Sequence, residues 1–190
     1  MKKTLISLYL IFCLYTLFHL IFNFKNQGVL ESIFLLEVDP LVLAVFNLLG
    51  LFPLAFLTLA LSTNKLKTLD FALLFSGFML GGFVSTIYFI RASKPTFKPI
   101  KWNQVIFILG TIITAITILS GLTFGSITTY IELFKNDTFI HIMTLDFIFM
   151  TLISPLLLKP ISKYYVFGLI PIIGIFTTLI LEQNKKSVKN

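Results

Sequence analysis

The chain has 190 residues, of which 57% are hydrophobic and only 12% charged, with a formal net charge of +7 and one cysteine. Ordinary soluble domains carry about 25% charged residues, so this composition excludes a water-soluble globular protein. It also excludes nucleic acid as the target of the positive charge, because the lysines fall in loops and tails next to apolar runs, where anionic lipid headgroups attract them.

Apolar runs of about 18 residues or more read as transmembrane helices. Six follow in chain order: Leu5–Asn23, Leu41–Leu61, Leu69–Ile90, Val105–Phe124, Phe139–Leu158 and Tyr164–Leu181. The expected fold is all-α, an integral membrane bundle of about six transmembrane helices. It forms a single domain over residues 1–181, followed by a basic, disordered tail over 182–190. The first run follows Lys2 and Lys3 as a signal peptide would. It is too long for one, and no A-x-A cleavage site follows, so a retained helix is expected. No Arg- and Ser-rich transit segment precedes it, which points to a multi-pass protein of a bacterial plasma membrane or a thylakoid-type membrane. Cys13 lies inside this run and has no second cysteine to pair with.

The connections are short. If all six runs cross, both termini share one side with Lys2, Lys3, Lys65, Lys67, Lys135, Lys185, Lys186 and Lys189. The other side then holds Lys25, Arg91, Lys94, Lys98, Lys101, Lys159 and Lys163. That balance leaves the orientation open under the positive-inside rule. Trp102, Tyr88, Tyr130, Tyr164 and Tyr165 sit near span ends, where an aromatic belt forms.

Small residues mark helix faces. Gly77, Gly81 and Ser85 recur every four residues in the third run, and Gly110, Thr114, Gly121 and Gly125 share a face of the fourth. Small faces let helix backbones approach closely in lipid, so the third and fourth runs are expected to pack on each other. Pro53, Pro155 and Pro171 each remove a backbone hydrogen bond and are expected to kink their helices.

The acidic residues separate into two kinds. Asp39 before Pro40, Asp70 in a first turn and Asp137 before the fifth run all suit helix N-termini. Asp146 does not, because it lies about nine residues, or roughly 13 Å, inside the fifth run. A carboxylate there costs about 2.5–3.5 kcal/mol on insertion scales. His141 precedes it by five residues on the same helix and therefore faces elsewhere. The partner of Asp146 is expected from another helix: His19, Asn47, or a hydroxyl of Ser76, Ser85, Thr114 or Thr117. No lysine or arginine lies at a span centre, so no buried ion pair is expected. Asp146, His141, His19 and Asn47 are the candidate ligand or polar-cluster residues. The histidines lack H-x-x-H or H-E-x-x-H spacing, so no metal site is expected. No nucleophile elbow, phosphate loop or dinucleotide fingerprint occurs, which leaves catalytic residues and cofactor unassigned. The tetrad Thr-Leu-Asp-Phe occurs at Thr68–Phe71 and at Thr144–Phe147. Two three-helix halves would pair the third run with the sixth, so the tetrads are out of register for a repeat.

One set of residues has a familiar look: Asp39-Pro40 with Asn47, Gly50 and Pro53, then Phe75 to Phe78 with Gly81, Gly82, Tyr88, Arg91 and Pro95, then Phe139 to His141 with Asp146. Over roughly residues 35–160 it resembles a family of multi-pass membrane proteins of unknown function from cyanobacteria and plant chloroplasts. The resemblance implies a multi-helix membrane fold and no particular activity.

Three functions follow as expectations. The first is a small membrane protein that binds or organises a lipid-like ligand or a membrane-protein partner, a second copy of the chain included. The second is a small-solute or proton-coupled transporter using Asp146, and the third an enzyme on lipid or isoprenoid substrates with His141, His19 and Asp146 as acid/base groups. A transporter needs a polar cavity reaching Asp146 from one side of the membrane, an enzyme needs Asp146 within hydrogen-bond reach of a histidine at a pocket open to lipid, and a purely structural clasp needs Asp146 fully enclosed, bonded to helix partners, with no cavity.

Overall fold

A computed structural model describes residues 2–92, 95–98 and 103–187, which form helices and connecting segments with no strand among them. Lys94, Lys101, Trp102 and Lys189, which bear on orientation and the aromatic belt, lie outside the described residues. In chain order the helices are α1 (Lys2–Phe22), α2 (Val29–Phe34), α3 (Pro40–Thr63), α4 (Thr68–Leu80), α5 (Gly82–Arg91), α6 (Asn103–Phe124), α7 (Ile127–Asn136), α8 (Thr138–Leu158) and α9 (Ile173–Ser187). A 3-10 turn spans Tyr165–Leu169. Four helices, α1, α3, α6 and α8, are long and apolar enough to cross a membrane.

The other two apolar runs fold differently from a span. The third is broken at Gly81, whose φ of 56° and ψ of −136° suit glycine alone. Here α4 ends and α5 turns back beside it. Gly77 faces Ser85 across the turn, and Tyr88 near the end of α5 meets Asn64 just before α4, Nδ2 to Oη 3.2 Å. A straight helix would hold residues 64 and 88 more than about 30 Å apart. The segment is therefore a helical hairpin that enters and leaves at one end of the bundle. The backbone amides of Thr96 and Lys98 confirm the return by donating to the carbonyls of Thr63 and Ser62 at 3.2 and 2.7 Å.

The sixth run folds back in the same way. The 3-10 turn lies against Ser154 and Pro155 of α8, the chain reverses at Pro171 and Ile172, and α9 returns. Ser162 Oγ donates to Glu182 Oε1 at 2.9 Å, and Thr178 Oγ1 to the Tyr164 carbonyl at 3.4 Å. Helix α9 continues to Ser187 with Glu182 and Gln183 buried, so order extends past residue 182, where the tail was expected to begin.

These hairpins expose an internal repeat. Residues 2–91 run long helix, short helix, long helix, hairpin, and residues 103–187 repeat that order. The pairings repeat too. Helix α3 packs on α6 as α8 packs on α1, α3 on α4 as α8 on the 3-10 turn, and α6 on α9 as α1 on α5. Over their most apolar stretches α3 and α8 are each 44% buried, whereas α1 and α6 are 17% and 22% buried, so each half supplies one central and one peripheral helix. The halves are clasped reciprocally. Asp39 caps α3 through the amide of Leu41 at 2.8 Å and also accepts from Ser126, the residue before α7, at 2.9 Å. Asp137 caps α8 through Ile140 at 3.1 Å and accepts from Gln27, just before α2, at 2.9 Å. Each carboxylate thus satisfies a free helix amide and ties down a loop of the other half.

The small faces of the third and fourth runs do not meet. Gly121 of α6 and Gly125 just beyond its end admit Leu41 and Ala44 of α3, and Gly110 admits the ring of Phe176 on α9. Thr114 is buried on the same helix and returns its hydroxyl to the Gly110 carbonyl at 2.6 Å. Gly77 and Ser85 instead face each other within their own hairpin, and Gly81 lies against Asp146 of α8, because the turn at Gly81 destroys the straight face the three would have shared.

Candidate functional site

Asp146 lies at the tip of the α4–α5 hairpin. It is 3% exposed, and both carboxylate oxygens accept the Gly82 amide, at 2.9 Å to Oδ1 and 3.1 Å to Oδ2. Gly82 is the first residue of α5, so its amide is one that a helix N-terminus leaves without an internal partner. An anion there also meets the positive end of the helix dipole. The Cβ of any other residue at 81 or 82 would run into the Asp146 carboxylate, which is why two glycines stand at the turn. On the other side of the tip, Tyr9 of α1 donates its hydroxyl to the Phe83 carbonyl at 2.9 Å. The expected side-chain partners of Asp146 are displaced by a backbone amide.

A hairpin that turns at Asp146 does not fill the bundle beyond it. The space left over is a cleft of about 350 Å³ between α3, α8 and the tip, walled mainly by Phe46, Leu49, Phe78, Phe139 and Met143. Two polar side chains reach it, Asp146 and Asn47. Asn47 is exposed on α3, and its amide has no hydrogen-bond partner among the described residues. Toward the hairpin's base the bundle is closed by Phe52, Phe56, Met150 and Ile153, all fully buried.

Compared with known proteins, the chain matches no family model, and neither a curated protein nor a solved structure is detectably similar. The geometry alone therefore carries the functional reading.

The histidines form a separate cluster. The His19 ring stacks on His141 at 3.9 Å between centroids and 9° between planes, and Phe134 also stacks on His141, at 4.3 Å. His141 Nδ1 lies 3.1 Å from the Phe134 carbonyl, and Nε2 lies 3.1 Å from the Tyr15 hydroxyl. A carbonyl only accepts, so Nδ1 carries the proton, and in the neutral ring Nε2 accepts from Tyr15. This side of α8 faces α1 and α7, whereas Asp146 faces α5, as the five-residue spacing requires. Thr144 shares the histidine side and meets the Tyr130 hydroxyl at 2.6 Å. Tyr130 belongs to α7, outside the long helices. Burial pushes its phenol above the ordinary tyrosine range, against the opposing effect of the Thr144 bond.

Asp146 and Asn47 are thus brought to one cleft, and His19 and His141 to another place. Sequence reasoning missed Gly82, Tyr9, Tyr15 and Phe134. The Gly81-Gly82 pair carried a signal, since two adjacent glycines in the middle of an apolar run mark a backbone that must turn or be approached closely.

Proposed function

We propose that this is a multi-pass membrane protein whose cleft at Asp146 holds a largely apolar, lipid-like ligand through one hydrogen-bonding group. In this reading α1, α3, α6 and α8 cross the bilayer and the two hairpins are re-entrant, so the count is four spans instead of six. The outer faces of α1 and α6 support it: Leu10, Ile11, Leu14, Leu109, Ile116 and Leu119 are all largely exposed, a continuous apolar surface that water would not tolerate. Irregular backbone at membrane depth is accommodated when protein satisfies it, and Asp146 and Tyr9 do so at the Gly81 turn.

The re-entrant hairpins also bear on orientation. Among the described residues every lysine and arginine except Lys25 and Lys135 falls at the end carrying both termini, while Glu31, Glu37, Asp39, Glu132 and Asp137 fall at the other. In this reading the near-even balance of a six-span chain becomes a strong asymmetry, and the positive-inside rule then favours termini in the cytoplasm or its equivalent.

The observation that carries the ligand reading is the unpartnered Asn47 amide opposite Asp146 in an otherwise apolar cleft. Such pockets use a few placed polar groups to orient an apolar ligand. A photoreactive long-chain alcohol added to the purified protein tests it. Labelling is expected in residues 46–50, 78–83 and 139–146, falling about tenfold in Asn47→Leu. Labelling spread evenly over the lipid-facing side of α6, unchanged in that variant, overturns the reading. A transporter would need a second opening past Phe52 and Met150, and the acid/base enzyme would need a histidine on Asp146, whose partner is Gly82.

A further inference from the structure

At the base of the α4–α5 hairpin, away from the cleft, lies a cavity of about 290 Å³ lined by Asn64, Lys65, Lys67, Asp70, Tyr88 and Arg91. It owes its existence to the hairpin, which brings the end of α5 back beside the start of α4. Three cations surround it with one carboxylate. That carboxylate is already engaged, since Asp70 Oδ2 accepts the Lys67 backbone amide at 2.9 Å and so holds the N-terminus of α4. No other described residue hydrogen-bonds or pairs with the side chains of Lys65, Lys67 or Arg91. Lys159 and Lys163, at the same end of the bundle, lie instead over the rings of Tyr165 and Tyr164 at 5.6 and 5.0 Å.

Tyr88 makes this more than a patch of surface charge. It is only 2% exposed, and its hydroxyl accepts from Asn64 Nδ2 at 3.2 Å. Asn64 in turn donates to Thr63 Oγ1 at 3.3 Å, whose own proton goes to the Leu59 carbonyl at 2.8 Å. Both amide protons of Asn64 are thereby used, and the Tyr88 hydroxyl keeps its proton for a partner in the cavity. A buried O–H donor ringed by three free cations matches a tetrahedral oxyanion, since Arg and Lys bind phosphate by charge-assisted hydrogen bonds and a neutral donor adds direction.

The geometry points to a phosphate-binding site at the base of the hairpin, taking the phosphate of an anionic lipid headgroup or free phosphate. The site is independent of the ligand in the Asp146 cleft. It sits at the end of the bundle where basic pockets between membrane helices meet anionic headgroups.

Native mass spectrometry of the protein in neutral detergent tests it, with phosphatidylglycerol and phosphatidylcholine of the same acyl chains as probes. Wild type is expected to retain phosphatidylglycerol about tenfold better. The Lys67→Gln/Arg91→Gln double variant should bring that ratio close to one. Tyr88→Phe should lower it about threefold, with only a small fall in melting temperature because Asn64 is partly exposed and water can replace the lost acceptor. The Lys159→Gln/Lys163→Gln variant should leave it unchanged. Displacement of the lipid by inorganic phosphate assigns the recognition to the phosphate group alone, and resistance to displacement assigns it to the lipid headgroup. Equal losses in the two double variants, or an unaltered ratio in Lys67→Gln/Arg91→Gln, overturn the site.

Discussion

In the first half of the molecule the hairpin turns at Gly81, and its leading amide is held by a carboxylate from the other half. In the second half the chain turns at Pro171 and Ile172, and among the described residues no carboxylate of the first half hydrogen-bonds the turn. There the amides of Gly174, Ile175 and Phe176 close locally on the carbonyls of Ile170 and Ile172 at 3.0–3.1 Å. Ile172 takes a φ of 60°, costly for a β-branched residue, and is fully buried. The residue nine places after the cap carboxylate is Asp146 on α8 and Leu48 on α3, a buried carboxyl group in one half and a buried apolar side chain in the other. A hairpin of this kind can therefore end without a borrowed carboxylate. Asp146 belongs to the open cleft of one half and is not a general requirement of the turn, which is why the functional reading is placed there.

The most decisive way to break the comparison is to ask whether the first hairpin crosses. In a Cys13→Ser background, single cysteines at Lys65 and Lys98 are expected to react with a membrane-impermeant maleimide from the same side, and one at Lys135 from the opposite side. The outcome is all-or-none. Opposite labelling of positions 65 and 98 would restore a full third span and dissolve the repeat.

The next test sets the two tips against each other. Gly81→Ala forces an alanine into a conformation that costs about 1–3 kcal/mol and drives its Cβ into Asp146, so a loss of about 3 kcal/mol or more is expected. Ile172→Gly relieves about 1–2 kcal/mol of strain while giving up roughly 2–3 kcal/mol of burial, so its net effect should be small. Thermal unfolding in detergent separates the two. Equal effects would mean that the Gly81 tip is not fixed by the carboxylate.

The sequence disclosed the caps and hid the turns for physical reasons. Asp39 and Asp137 were legible because a carboxylate just before an apolar run has one common use, and both cap their helices. Asp146 was legible as an anomaly because charge inside an apolar run is costly. Its partner was not, since every residue carries a backbone amide and only the fold decides which one is left free. The third run read as a span because hydropathy is blind to direction: an apolar run of 22 residues that doubles back at Gly81 looks like one that continues. A full third span would put Arg91 and Lys98 at the opposite end of the bundle from Lys65 and Lys67, whereas the hairpin returns them to the same end. The repeat stayed hidden because α2 and α7 differ in length and one hairpin begins with an α-helix where the other begins with a 3-10 turn. The repeated tetrad, the one visible hint, falls at non-equivalent positions.

The smallest effect expected concerns the reciprocal clasp. Asp39 and Asp137 occupy equivalent places and make equivalent pairs of bonds, yet Asp137 is 2% exposed while Asp39 is partly exposed. Removing a cap costs about 0.5–2 kcal/mol, and a buried amide left without a partner costs about 1–3 kcal/mol. Asp137→Ala is therefore expected to destabilise by about 1 kcal/mol more than Asp39→Ala, because water can reach the amides freed at Asp39. Asparagine keeps one side-chain acceptor, so Asp137→Asn should preserve the cap on Ile140 and release Gln27. Hydrogen exchange reads the two bonds separately: the Gln27 amide should lose protection in Asp137→Asn while Ile140 keeps it. Loss of both together would show that cap and clasp form one cooperative unit, and that the halves are joined more tightly at this corner than at Asp39.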